Sequence, residues 1–164
     1  MPPSTRAAEA LSVRSRLRPA LQTAPTTEHP WRLLVVEDDP GLLEAMTIRL
    51  RHAGYEVLPA LDGGRAMELL RREKIHALVL DVDVPVADGF SVLEASRRPG
   101  RPVRPVIIVT GQDSEAIERH AAYRGVRAVL HKPVDASRLL TELARALDAP
   151  PDHDRRTPSV ELWS

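Results

Sequence analysis

The chain of 164 residues contains no cysteine, which excludes a disulfide scaffold, a thiolate zinc site and a cysteine nucleophile. Aromatic residues make up 3% of it, too few for the stacking platforms that hold single-stranded nucleic acid. Neither sign of charge dominates: 23 Lys and Arg stand against 23 Asp and Glu. A balanced chain has no electrostatic reason to seek a polyanion, so direct DNA binding is not expected. Long hydrophobic runs are missing as well. The longest, such as residues 33–36 and 106–109, reach four residues, whereas a membrane-spanning helix needs about 20. What remains is a length suited to one domain and 43% apolar residues to build its core.

Proline and glycine divide this length unevenly. Eight of the 15 prolines fall in residues 1–30 and 149–164, while all eight glycines fall between 31 and 148. We read 31–148 as the folded domain, 1–30 as a disordered N-terminal extension and 149–164 as a flexible tail, because polar, proline-rich chain buries too little surface to order itself. The extension carries Arg6, Arg14, Arg16 and Arg18 against Glu9 and Glu28 and is rich in Ala, Ser and Thr. That composition also fits an organellar transit peptide, but not a secretory signal, since no apolar core stretch is present.

Within 31–148 two periods alternate. Short apolar runs at 33–36, 55–58, 77–81, 106–110 and 128–130 read as strands. Between and after them lie five helices. The first opens at Pro40 behind an Asp39 cap, carries a stripe of Leu42, Leu43, Met46, Ile48 and Leu50, and stops at Gly54. The others are expected at 63–73, 90–97, 114–124 and 135–147, the last with Leu139, Leu140, Leu143 and Leu147 on one side. Strands that are apolar throughout, alternating with helices, define an α/β fold with a parallel sheet covered on both faces. Ligands of such sheets bind beyond the carboxyl ends of the strands.

Those ends carry chemistry. The first strand stops at Glu37 and Asp38, the third at Asp81 and the fourth at Thr110, and Lys132 follows the fifth. Three carboxylates gathered at one edge repel one another unless a cation joins them. All the donors are oxygen, so a hard ion such as Mg²⁺ suits them. Lys132 offers a point charge and Thr110 a hydroxyl to a phosphoryl oxygen. The layout suits phosphoryl transfer, with Asp81 as the candidate nucleophile.

Four motifs in order then carry a resemblance. They are Val35-Val36-Glu37-Asp38-Asp39-Pro40; Leu78-Val79-Leu80-Asp81-Val82-Asp83-Val84-Pro85 with Asp88-Gly89; Val109-Thr110-Gly111; and His131-Lys132-Pro133. Together they resemble the receiver domain of bacterial response regulators in two-component phosphorelay signalling. The resemblance implies a flavodoxin-like, doubly wound sheet of five parallel strands, order 2-1-3-4-5, with five helices. It implies that Asp81 accepts a phosphoryl group from a sensor histidine kinase or a histidine phosphotransfer protein. Asp38 would bind Mg²⁺ directly, Glu37 through water, and Asp83 through its backbone carbonyl, with Asp81 completing the metal set. Thr110 and Lys132 would contact the phosphoryl group, and Lys132-Pro133 would be a cis bond. Such a protein is cytoplasmic, phosphorylates and slowly dephosphorylates itself, and is not a turnover enzyme.

The sequence departs from the family's pattern at Val129, where the family usually has Tyr or Phe three residues before the lysine. Val134 likewise stands where Phe is common. The missing ring leaves the chemistry intact and questions the usual signal output. Asp88-Gly89 reads as a turn and Asp39 as a helix cap; the resemblance implies that the Asp83 side chain and Gln112 occupy the positions that tune phosphoryl lifetime. Two other readings compete. Asp81-Val82-Asp83-Val84 resembles the opening motif of haloacid-dehalogenase-type phosphatases, but there the motif ends the first strand, whereas here the acidic pair precedes it. A phosphorylation-independent interaction module is the other, opposed by the intact Asp38, Asp81, Thr110 and Lys132. With 16 residues after Asp148, no helix-turn-helix output domain is expected in this chain, and an unknown output protein is expected to read it instead.

Overall fold

A computed structural model describes residues 30–82, 84, 89–97, 99, 103–111, 117 and 125–148. In chain order the described elements are β1 (Arg32–Val36), α1 (Pro40–His52), β2 (Glu56–Ala60), α2 (Gly63–Arg72), β3 (Ala77–Asp81), α3 (Gly89–Ala95), β4 (Val106–Thr110), β5 (Val126–His131) and α4 (Ala136–Asp148). The five strands form one parallel sheet in the order β2-β1-β3-β4-β5. The expected fold class is therefore present, with four of its helices among the described residues. The helix expected at 114–124 apart from Ile117, the 1–30 and 149–164 segments apart from Pro30, and Asp83, Asp88 and Gln112 lie outside those residues; Ile117 is helical and buried in the core.

The sheet divides the core in two because successive strand residues face opposite sides. Leu34, Val36, Leu78, Leu80, Val106 and Ile108 face α2 and α3, where Ala66, Leu69, Leu70, Val92 and Leu93 meet them. Leu33, Val35, Val79, Ile107 and Val109 face α1 and α4, where Leu43, Met46, Leu50, Leu139 and Leu143 meet them. Burying one such aliphatic side chain stabilises the fold by about 1.5–3 kcal/mol. All five residues of β3 and of β4 are buried, as expected for interior strands of a sheet covered on both faces.

The helix starts follow the capping chemistry. Asp39 Oδ1 accepts from Leu42 N–H at 2.9 Å, with Pro40 in the first turn. Asp62 Oδ1 accepts from Arg65 N–H at 2.7 Å, and Asp135 Oδ1 from Ser137 N–H at 2.8 Å. At the end of α1, Tyr55 N–H donates to Leu50 O and Gly54 N–H to Arg51 O, a Schellman closure that puts Gly54 at φ 93°.

Three details correct the sequence reading. Ile48 is exposed, and Thr47 is buried in its place. Positions 43, 46, 47 and 50 share one face at 3.6 residues per turn, and 48 falls off it. The second strand runs two residues further than expected, through Pro59. An outer strand tolerates proline because one side of its backbone has no partner. That free side is also blunted by Arg51, whose Nη2 donates to Val57 O at 3.1 Å. The fifth strand is longer than expected as well, and a bulge between Val106 and Ile107 shifts its register. Among the described residues no helix is long and apolar enough to cross a membrane.

Candidate functional site

The carboxyl ends of β1, β3, β4 and β5 meet at one edge of the sheet. β1 and β3 are neighbours there although β2 separates them in sequence, which makes this the point where the strand order reverses. Apolar packing fixes each strand up to its last residue, and the polar residues follow at once. Glu37, Asp81 and Thr110 are consequently buried, and Asp38 stands exposed at the rim.

The acidic run at the end of β1 divides into three tasks. Glu37 turns inward. Its N–H donates to Ala60 O at 3.1 Å, and its Oε1 accepts from Asp39 N–H at 3.1 Å. Asp38 turns outward, and Asp39 caps α1. Carboxylate oxygens of Glu37, Asp38 and Asp81 come within 4.8 Å of one another. The sequence reading singled out these three residues, and the fold brings them together. It did not foresee that the Asp39 amide would hold Glu37 in place, since a main-chain donor leaves no mark in a sequence.

Lys132 faces this acidic floor. Its Nζ donates to Asp81 Oδ2 at 2.7 Å and lies 2.8 Å from Glu37 Oε2. The second contact is an ion pair, so one ammonium bridges both buried carboxylates. The loop holding Lys132 is tied to β4 by its own N–H, which donates to Thr110 O at 2.8 Å, and the Lys132-Pro133 bond is cis as expected. Burial alone pulls the Lys132 ammonium down, but the hydrogen bond to Asp81 and the pairing with Glu37 outweigh it, and the net shift is upward. Burial pushes the Glu37 carboxyl up, and the neighbouring Asp81 adds to this; Lys132 and the Asp39 amide offset it only in part.

Among the described residues one ammonium faces three carboxylates, an excess of negative charge at this edge. Every donor of the cluster is a carboxylate oxygen, and three of them within 4.8 Å fit a hard divalent cation. Val129 sits on β5 opposite Ile108, half-buried against the core on the α2–α3 side. His131 is exposed beside Lys132.

Over residues 33–144 the chain matches the family model of the response regulator receiver domain, and it belongs to that family. It is 33% identical over 117 residues to protein PilH of Pseudomonas aeruginosa, covering 71% of this chain and 97% of that one. To the transcriptional regulatory protein GlrR of Escherichia coli it is 36% identical over 119 residues, 73% of this chain but 27% of the regulator. The chain thus spans about a quarter of the length of that regulator. Among solved structures, a CheY-like receiver domain protein from Methanospirillum hungatei superposes with a TM-score of 0.66 at 30% identity, covering 73% of this chain and 94% of that one. The receiver domain of a sensor histidine kinase from Pseudomonas aeruginosa, solved with a magnesium ion in its active-site cleft, gives 0.64 at 28% identity, covering 73% and 99%.

Proposed function

We propose that the chain is a phospho-accepting response regulator and that Asp81 is its acceptor. The observation that carries this is the Lys132–Asp81 contact of 2.7 Å beside two further carboxylates, at the reversal point of the sheet. A carboxylate at this edge, oriented by an ammonium 2.7 Å from one oxygen, is suited to act as a nucleophile toward phosphorus. In the proposed step the phosphorus–nitrogen bond of a phosphohistidine breaks, an Asp81 oxygen–phosphorus bond forms, and the imidazole leaves. The donor is a sensor histidine kinase or a histidine phosphotransfer protein. Lys132 holds charge on the arriving phosphoryl oxygens, and the Thr110 hydroxyl donates to one of them. Glu37, Asp38 and Asp81, with the backbone carbonyl of Asp83, would hold Mg²⁺, which supplies charge neutralisation for the phosphoryl group. The magnesium ion in the related kinase receiver supports that assignment.

Val129 bears on output. A side chain with one stiff χ angle cannot carry a ring between solvent and core. We therefore assign output to backbone movement after Thr110, or to no conformational output at all, with the chain acting as a phosphoryl sink. The test of the acceptor is direct. Incubated with acetyl phosphate and Mg²⁺, the chain should gain one phosphoryl group by intact mass, and Asp81→Asn should gain none. A phosphorylated Asp81→Asn would overturn the reading.

A further inference from the structure

The sequence suggests that Gly89 closes a turn, but in the fold it opens α3, and it lies very close to the strand that carries Asp81. A Cβ placed on Gly89 would stand 2.6 Å from the Asp81 carbonyl oxygen and 2.6 Å from Val82 Cα. The Gly89 N–H donates to Val82 O at 3.2 Å, so the chain leaves β3, returns, and closes on the peptide it left from. The backbone at Gly89 is not left-handed, so the requirement is for space rather than for conformational freedom.

Neither neighbour can yield cheaply. β3 is held between β1 and β4 with every residue buried. α3 is anchored by Val92 and Leu93, at 0% and 1% exposure in the core. Ordinary contact begins at 3.4 Å, so a methyl group at position 89 must find roughly 0.8 Å. The remaining place to find it is the Asp81–Val82 peptide, one bond from the Cα that aims the Asp81 carboxylate at Lys132. A misplacement of about 1 Å at reacting atoms lowers a rate by about 100-fold.

We propose that Gly89 is a positioning residue for phosphoryl transfer to Asp81: the bare backbone at the start of α3 closes over the Asp81–Val82 peptide and sets the direction of the acceptor carboxylate. This rests on the reading of Asp81 as the acceptor. The full chain is phosphorylated with acetyl phosphate at saturating Mg²⁺; the donor's phosphorus–oxygen bond breaks, acetate leaves, and the Asp81 oxygen–phosphorus bond forms. The rate constant and the KM for acetyl phosphate are measured separately by intact mass, at equal folded fraction. Trimethylamine N-oxide is added where needed to restore the native circular dichroism. Gly89→Ala should lower the rate constant by about 10- to 100-fold with KM nearly unchanged. Val92→Ala removes core packing from the same helix and leaves the backbone at position 89 bare, and it should keep the wild-type rate constant. A Gly89→Ala rate constant within about twofold of wild type overturns the proposal. So does a Gly89→Ala chain that never regains the native spectrum, because glycine would then be a requirement of folding alone. Failure of the underlying reading is separable: it appears as a wild-type chain that gains no phosphoryl group, or as an Asp81→Asn chain that does.

Discussion

The two edges of the sheet both collect charge, and they handle it in opposite ways. At the amino edge Arg32 pairs with Glu56 at 2.9 Å and Glu73 at 3.0 Å, all of them partly exposed. Arg104 spends its guanidinium on the carbonyls of Ile75 and Ser96. Cations and acids there satisfy one another. At the carboxyl edge two acids are buried outright, a third stands beside them, and Lys132 is the single cation facing them among the described residues. Solvated pairs contribute about 0–1 kcal/mol each. Buried carboxylates left in excess are costly, and they persist where the imbalance serves binding. The comparison teaches which edge is suited to a cation: the one whose charges, among the described residues, do not close.

The largest break should come from removing Lys132, the one cation facing the acids of the carboxyl edge among the described residues. Lys132→Met takes from the buried Glu37 and Asp81 the ammonium that both pair with. Breaking a fully buried pair costs about 3–5 kcal/mol. The Lys132 side chain is 26% exposed, so water screens part of this, and we expect a loss of about 2 kcal/mol. Mg²⁺ should restore much of that loss in Lys132→Met, because the three carboxylates remain. Urea unfolding with and without Mg²⁺ checks both statements. A variant as stable as wild type in the absence of Mg²⁺ would mean that the carboxyl edge is not short of positive charge.

How much of this contrast was legible in the sequence depends on the residue. The floor of the carboxyl edge was readable because the runs before Glu37, Asp81 and Thr110 are apolar without interruption, and such a run ends where the sheet meets the cleft. The separate directions of Glu37, Asp38 and Asp39 were not readable. Three acids in a row look alike until the first turn of α1 claims one as a cap and the core claims another. Hydrophobicity points to Ile48 where the angle around the helix selects Thr47. Pro59 reads as the end of β2 because nothing in the local sequence says that a strand lies at the edge of its sheet. The glycine at 89 looked like turn chemistry, since its need for space arises only when α3 packs on β3, a contact between separate elements.

A middle-sized effect should appear at the amino edge, in acid. His76 Nδ1 accepts the Arg32 N–H at 2.9 Å, and His76 N–H donates to Arg32 O at 2.8 Å, while Trp31 meets the ring edge-on at 5.0 Å. Burial holds the imidazole below its ordinary value, and the cations of Lys74, Arg32 and Arg104 add to that. The folded-state value is depressed, so the stabilisation is fully present above the unfolded value near 6.5 and is lost as pH falls toward and through the folded value. An accepting Nδ1 cannot carry a proton, so protonation breaks the bond to Arg32. We expect a loss on the order of 1 kcal/mol relative to His76→Asn, which keeps a neutral acceptor at a similar place. Parallel pH dependences for wild type and His76→Asn between pH 7 and 5 would refute the assignment.

The smallest effect should come from the most conspicuous charges. Arg32 reaches two carboxylates at once, yet its side chain is 30% exposed and Glu56 and Glu73 are each 40% exposed. Each pair gains little Coulomb energy in water and loses side-chain entropy in forming, so Arg32→Gln should cost only about 0.5 kcal/mol. The backbone bonds between Arg32 and His76 do not depend on the guanidinium, and they keep β1 in register in the variant. The remaining difference is a screened surface interaction. At 1 M salt the Debye length falls to about 3 Å, the span of these contacts, and the two proteins should unfold at the same urea concentration. Lys132→Met under the same salt should keep most of its deficit, because burial shields its partners from the ions. If Arg32→Gln instead loses about 2 kcal/mol and the loss survives 1 M salt, the amino edge is as desolvated as the carboxyl edge, and the contrast between them fails.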